Sequence, residues 1–165
     1  MALAVPLIAA PDFSGSWMLN VGKSQYGQFP APEVMLRTVK VDGTQLAMST
    51  YQKGAQGEVT TELKYTTDGK PSVNGTSTGT AAWYGDTLVI ESSRESQGAR
   101  LTQRDSWTLS SDGNRYTTVT IWKDREGKTG PANERRFTRN SENCLNTVKT
   151  SYSGSVSGAP VHPDE

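Results

Sequence analysis

Glycine-centred turns divide this chain into segments of strand length, at Asp42-Gly43, Asp68-Gly69, Gly85-Asp86, Gln97-Gly98, Asp112-Gly113 and Glu126-Gly127. A short hairpin loop also fixes which residues face one another across the two strands, so every turn is a register assignment. With Gln97-Gly98 as a two-residue loop, Leu88 stands opposite Trp107, Ile90 opposite Asp105, Ser92 opposite Gln103 and Arg94 opposite Leu101. The other face then pairs Glu91 with Arg104 and Glu95 with Arg100, and opposite charges across a polar face support that register. The Asp112-Gly113 turn aligns Leu109 with Tyr116, Trp107 with Thr118, Asp105 with Thr120 and Gln103 with Trp122. Both turns select the face that carries Trp107.

The earlier hairpins repeat the pattern. A loop over Gly54 to Gly57 pairs Leu46 with Tyr65, Met48 with Leu63 and Thr50 with Thr61, with Lys53 and Glu58 on the opposite face. Asp42-Gly43 as a loop puts Val39 opposite Leu46, Arg37 opposite Met48 and Met35 opposite Thr50, and Gly85-Asp86 puts Trp83 opposite Leu88. The expected strands are 14–20, 33–41, 44–53, 57–66, 77–84, 87–95, 99–109, 115–124 and 132–139. Composition agrees, because 20 Thr, 17 Ser and 12 Val outweigh 10 Leu and 12 Ala, and β-branched residues suit a pleated sheet better than a helix. The fold class is therefore all-β: a single up-and-down antiparallel barrel of 8–10 strands with an interior cavity, which removes exposed sheet edges. A two-sheet sandwich is the alternative.

The chain divides into an apolar leader over 1–12, a barrel domain over 13–139 and a Ser/Gly/Pro-rich tail over 140–165 that holds one short strand near 147–152. Residues 2–10, ALAVPLIAA, have the apolar run and small-residue end of an export signal without its basic start, from which a periplasmic or secreted protein is expected; a short first strand or an ordinary leader is the other reading. Nine residues are too few to span a bilayer, so no integral membrane segment is expected.

Seventeen basic residues balance seventeen acidic ones, which removes the net-charge case for nucleic acid as a partner. One cysteine, Cys144, and one histidine, His162, exclude a Cys/His zinc site, a Ser-His-Asp triad and a histidine-ligated haem within the barrel. No cofactor and no metal are expected. Lys128-Thr129-Gly130 reads as a turn, and Asn74-Gly75-Thr76 is a formal glycosylation acceptor.

Phe13-Ser14-Gly15-Ser16-Trp17 carries a Gly-x-Trp at the start of the first strand, and this resembles the first signature of the lipocalin and wider calycin barrels. The resemblance implies a barrel closed at one end by Trp17, with an arginine of the last strand packed across it. Arg135, Arg136 and Arg139 are the candidates. The span 13–139 is also similar to small exported bacterial lipocalin-like proteins.

The inward face itself argues for a cavity. Beside Met48, Trp83, Trp107 and Trp122 it holds Arg37, Arg94, Gln103, Asp105, Tyr65 and Tyr116, and a dry core does not accept unpaired charges. These ten residues form the candidate ligand site. Apolar walls with a few convergent polar groups suit a small hydrophobic or amphipathic ligand. Arg37 and Arg94 favour an acidic one, because a guanidinium grips a carboxylate through two parallel hydrogen bonds. Plainer readings stand beside this one: Arg94 reaching solvent at the rim, and Arg37 and Asp105 neutralising one another. A cofactor-free isomerase or cyclase using Asp105 and Tyr116 as acid and base, and an exported interaction module without a ligand, are the alternative functions.

Overall fold

The computed structural model describes residues 9–96 and 98–140 of the chain. They form ten antiparallel strands: β1 (Gly15–Leu19), β2 (Val34–Asp42), β3 (Gln45–Gly54), β4 (Gly57–Thr66), β5 (Ser72–Asn74), β6 (Ser77–Tyr84), β7 (Thr87–Ser96), β8 (Ala99–Leu109), β9 (Arg115–Lys123) and β10 (Asn133–Arg139). Their order in the single sheet is β4-β3-β2-β1-β10-β9-β8-β7-β6-β5. The sheet curls into a nearly closed up-and-down barrel rather than a two-sheet sandwich. The leader through residue 8 and the tail strand near 147–152 lie outside the described residues.

The turn-derived registers hold across β3–β4, β6–β7, β7–β8 and β8–β9, with Leu88 opposite Trp107 and Gln103 opposite Trp122. Two of the expected charge pairs are ion pairs, Arg104 with Glu91 at 3.1 Å and Lys53 with Glu58 at 3.9 Å. The β2–β3 hairpin departs from expectation. Asp42 pairs with Gln45, so the loop is Gly43-Thr44, Val39 faces Met48, Arg37 faces Thr50 and Met35 faces Gln52. Gly43 takes the left-handed conformation (φ 57°) as the first loop residue, a position where glycine has no steric cost. The slip is two residues, so every side chain keeps its face.

At one end the interior is filled. Phe13, Trp17, Trp107, Tyr116 and Phe137 are all buried. Tyr116 stacks on Phe137 with centroids 4.6 Å apart and meets Trp17 edge-on at 4.6 Å, while Phe13 meets Trp107 and Tyr116 edge-on at 5.6 Å each. Offset and edge-on contacts use the ring quadrupoles as well as the buried area. The Trp17 indole donates to the Phe13 carbonyl at 2.9 Å. Arg139 lies 4.3 Å above the Trp17 ring and donates to the carbonyls of Ser14 (2.6 Å) and Gly113 (2.9 Å). Arg139 is thus the arginine that crosses the closing tryptophan. Arg136 instead pairs with Glu134 on the outside at 2.6 Å.

The sheet's two edges, β4 and β5, meet without a backbone ladder. Asn74 takes the ladder's place: the Lys64 amide donates to Asn74 Oδ1 (2.7 Å) and Asn74 Nδ2 donates to the Lys64 carbonyl (2.9 Å). Nearby, the Thr66 amide donates to Ser72 Oγ at 3.3 Å. A side-chain amide offers the same donor and acceptor as a peptide group, so one asparagine does the work of one ladder residue. Two features of the structure were not expected from the sequence: the three-residue β5, and a 3-10 turn at Val21–Lys23 capped by Asn20.

Candidate functional site

The other half of the barrel is hollow. A cavity of about 330 Å³ opens there, within the size range of small-molecule sites. Of the ten candidate residues, Arg37, Met48, Tyr65, Arg94, Gln103, Asp105, Trp107 and Trp122 line it. Trp83 and Tyr116 do not, because both pack against Phe13 in the filled end, Trp83 at 6.0 Å and Tyr116 at 5.6 Å. Arg135, which the sequence reading placed only as a partner for Trp17, lines the cavity instead. It sits opposite Thr118 on β10, one inward position from Phe137, so the alternation of that strand turns it inside.

Arg37 is held on all sides. Its Nε donates to Thr50 Oγ1 at 2.9 Å, its Nη1 donates to the Tyr116 hydroxyl at 3.2 Å, and its guanidinium lies 4.8 Å from the Phe137 ring and 5.2 Å from that of Trp107. The side chain thereby joins the filled end to the cavity floor. Two of its five N–H groups are committed to those oxygens, and the residue is among those that line the cavity.

Asp105 is gripped by its neighbours rather than by an arginine. Its carboxylate accepts from the Gln103 amide and the Thr120 hydroxyl, and among the described residues no ion pair involves Asp105, Arg37 or Arg135. The plainer reading of Arg37 and Asp105 as partners holds only at a distance: the Arg37 charge acts on Asp105, but the two form no ion pair among the described residues. Burial raises the Asp105 pKa above its ordinary 3.8, against the pull of its two hydrogen bonds and of Arg37 and Arg135. Burial lowers the pKa of Arg135, and the charge of Arg37 adds to that push. Arg135 Nε is buried with no hydrogen-bond partner, as is Trp122 Nε1. Both are donors on cavity-lining residues, and buried donors without acceptors are uncommon in folded proteins.

The remaining candidates take simpler places. Arg94 is exposed at the cavity mouth, on the rim as the plainer reading had it. Tyr65 is buried beside Leu46 and Met48, and its phenol pKa is raised by burial and by Asp105. Asp105 and Tyr116 share no hydrogen bond among the described residues; the tyrosine hydroxyl accepts from Arg37, and burial raises the Tyr116 pKa too. Of this candidate acid and base, Asp105 lines the cavity and Tyr116 packs in the filled end. Asn74, the glycosylation acceptor in the sequence, has its amide engaged on Lys64. Among the described residues no cluster of His, Cys, Asp and Glu is placed to hold a metal ion, and no helix is long and apolar enough to cross a membrane.

No protein-family model and no curated protein sequence matches the chain. Solved structures do share its fold. Two mutants of the fluorescent protein UnaG superimpose with TM-scores of 0.56 and 0.52, each at 14% identity over 79% of this chain and 97% of that one. Secretory abundant heat soluble protein 4 from Ramazzottius varieornatus superimposes with a TM-score of 0.51, at 13% identity over 80% of this chain and 96% of that one. These neighbours are calycin-like β-barrels, and the likeness is one of fold.

Proposed function

We propose that the barrel binds a small amphipathic anion without covalent chemistry, holding its acid group between Arg37 and Arg135 and its apolar part against Met48, Trp107 and Trp122. The observation that carries this reading is the pair of guanidinium groups lining one cavity with no ion-paired carboxylate among the described residues, one of them with a buried Nε that has no acceptor. The charge of Arg37 bears on Arg135 in the empty site, Asp105 opposes it without an ion pair, and a carboxylate or sulfonate relieves both guanidinium groups at once. Compared with the sequence reading, the second anchor moves from Arg94 to Arg135, and Arg94 becomes a rim charge that draws the anion toward the mouth.

Calorimetry with dodecanoate on the wild-type chain and on Arg37→Met, Arg135→Met and Arg94→Met tests this. Charged hydrogen bonds contribute about 1.5–3 kcal/mol each, so loss of Arg135 weakens affinity roughly ten- to a hundredfold. Arg94→Met lowers it by no more than about threefold, because a rim charge is screened by solvent. Equal affinity in the wild type and Arg135→Met would remove the anchor, and an absence of binding by dodecanoate and dodecanesulfonate alike would end the anion reading.

A further inference from the structure

Among the described residues, Asp105 is the one carboxylate that lines the cavity. It projects from β8 with Ile90 opposite on β7 and Thr120 opposite on β9, and its oxygens accept from Gln103 and Thr120. The charges of Arg37 on β2 and Arg135 on β10 act on it, and its own charge bears on Tyr65 of β4 and Tyr116 of β9. Arg94 of β7 stands two inward positions nearer the mouth, opposite Leu101. β3, β5 and β6 contribute Met48, Asn74 and Ser77 to the lining, and none of these titrates. The two guanidinium groups that pull Asp105 toward its ionised form are therefore the two that hold the anion.

An anion seated between them acts on Asp105 in three ways. Its charge repels the carboxylate, it draws on the same two guanidinium groups, and its apolar body drives out water that solvates the site. Each of the three favours the neutral carboxyl over the carboxylate. Burial alone already pushes the Asp105 pKa up, so the group starts displaced in the direction in which the ligand drives it. Proton and anion thus help one another into the cavity, and by linkage each raises the affinity for the other. Resting on the anion reading above, we propose that Asp105 makes capture proton-linked: the anion enters between Arg37 and Arg135 as the Asp105 carboxylate takes up a proton from solvent, and it leaves as that proton is given back. No other bond changes. Affinity is greatest on the acid side of the Asp105 titration and falls as pH rises through it.

Calorimetry with dodecanesulfonate tests this, because a sulfonate stays anionic throughout and leaves only the protein to titrate. Measured from about pH 4 to about pH 9, the wild-type affinity falls roughly tenfold or more as pH rises. Paired runs in buffers of unlike ionisation enthalpy show an uptake of about one proton per anion within the same window. Asp105→Asn shows neither the fall nor the uptake. Thr120→Val removes a hydrogen bond that favours the carboxylate, so the fall moves to higher pH. The thermal transition of each variant checks its fold, and where Asp105→Asn fails to fold, Thr120→Val and the wild-type proton count decide. If the wild-type affinity is flat with no proton taken up, if the fall survives Asp105→Asn, or if Thr120→Val leaves it in place, Asp105 is not linked to capture and the anion reading still stands. If dodecanesulfonate binds at no pH, both proposals fail.

Discussion

At one end of the barrel Trp17, Phe13, Trp107, Tyr116 and Phe137 interlock with no room to spare, and Arg139 seals them with bonds to two carbonyls. At the other end the same strands carry Arg135, Asp105, Trp122 and Ser92 around open space. The difference lies in what each inward position asks of its neighbours. In the filled end the Trp17 indole and the Tyr116 hydroxyl both have partners, whereas the hollow end leaves donors on Arg135 and Trp122 buried without one. Packed aromatic surface is concentrated in the first region and open space with unpartnered donors in the second.

Removing a large ring separates the two regions most sharply. Trp107→Ala is expected to cost about 3–5 kcal/mol in denaturant unfolding, as deletion of a fully buried aromatic does. Trp122→Ala, which removes a half-exposed ring tilted against Phe29, costs about 1 kcal/mol or less. Comparable losses for the two would erase the division.

The arginines give a second contrast of opposite sign. Arg139→Met loses two hydrogen bonds to carbonyls and the contact with Trp17, a destabilisation of about 2–3 kcal/mol. Arg135→Met leaves unfolding unchanged or raises stability by about 1 kcal/mol, because a desolvated guanidinium without an ion pair is replaced by an apolar side chain.

A pH series sharpens the picture of the hollow end. Asp105 has a folded-state pKa above the ordinary 3.8, so between those two values the folded chain holds a proton that the unfolded chain has lost. Stability therefore falls as pH rises through that window and levels off above it. Asp105→Asn abolishes this component, so the variant gains on the wild type as pH rises through the same window. A local effect is expected at the seam. Asn74→Ala removes two hydrogen bonds to the exposed Lys64 backbone, costs about 1 kcal/mol, and speeds hydrogen exchange at the Lys64 amide more than at buried strand amides.

Most of the barrel was legible because two-residue loops convert directly into strand register, and four hairpins agreed on one inward face. The β2–β3 slip shows the limit of that reasoning: Gly43 can occupy either position of a two-residue loop, and alternation does not distinguish registers two residues apart. Arg135 escaped as a cavity residue for a related reason. The connection from Lys123 to Asn133 is long, so no tight turn fixes the register of β10, although reading its alternation back from Phe137 through Arg135 to Asn133 would have turned the arginine inward. Tyr116 was legible as inward-facing but not as remote from the cavity, since depth along a barrel axis depends on strand stagger, which pairing alone leaves open. Asn74 as a ladder substitute left no pattern to read, because a three-residue strand is shorter than any alternation.

The sheet order also sets a timetable. Eight of the nine strand pairings join segments adjacent in sequence, and those among them with short loops close on the microsecond scale. The exception is β1 with β10, where Trp17 meets Arg139 and the Arg139 guanidinium reaches back 125 residues to Ser14. The tight hairpins from β2 to β9 can assemble from their own turns, but the interlocked aromatic end needs Trp17 from the first strand and Phe137 from the last. Contacts of such high sequence separation slow folding. Folding therefore ends where the two ends of the barrel segment come together, and a chain still emerging from synthesis holds its hairpins without a finished core until β10 is available.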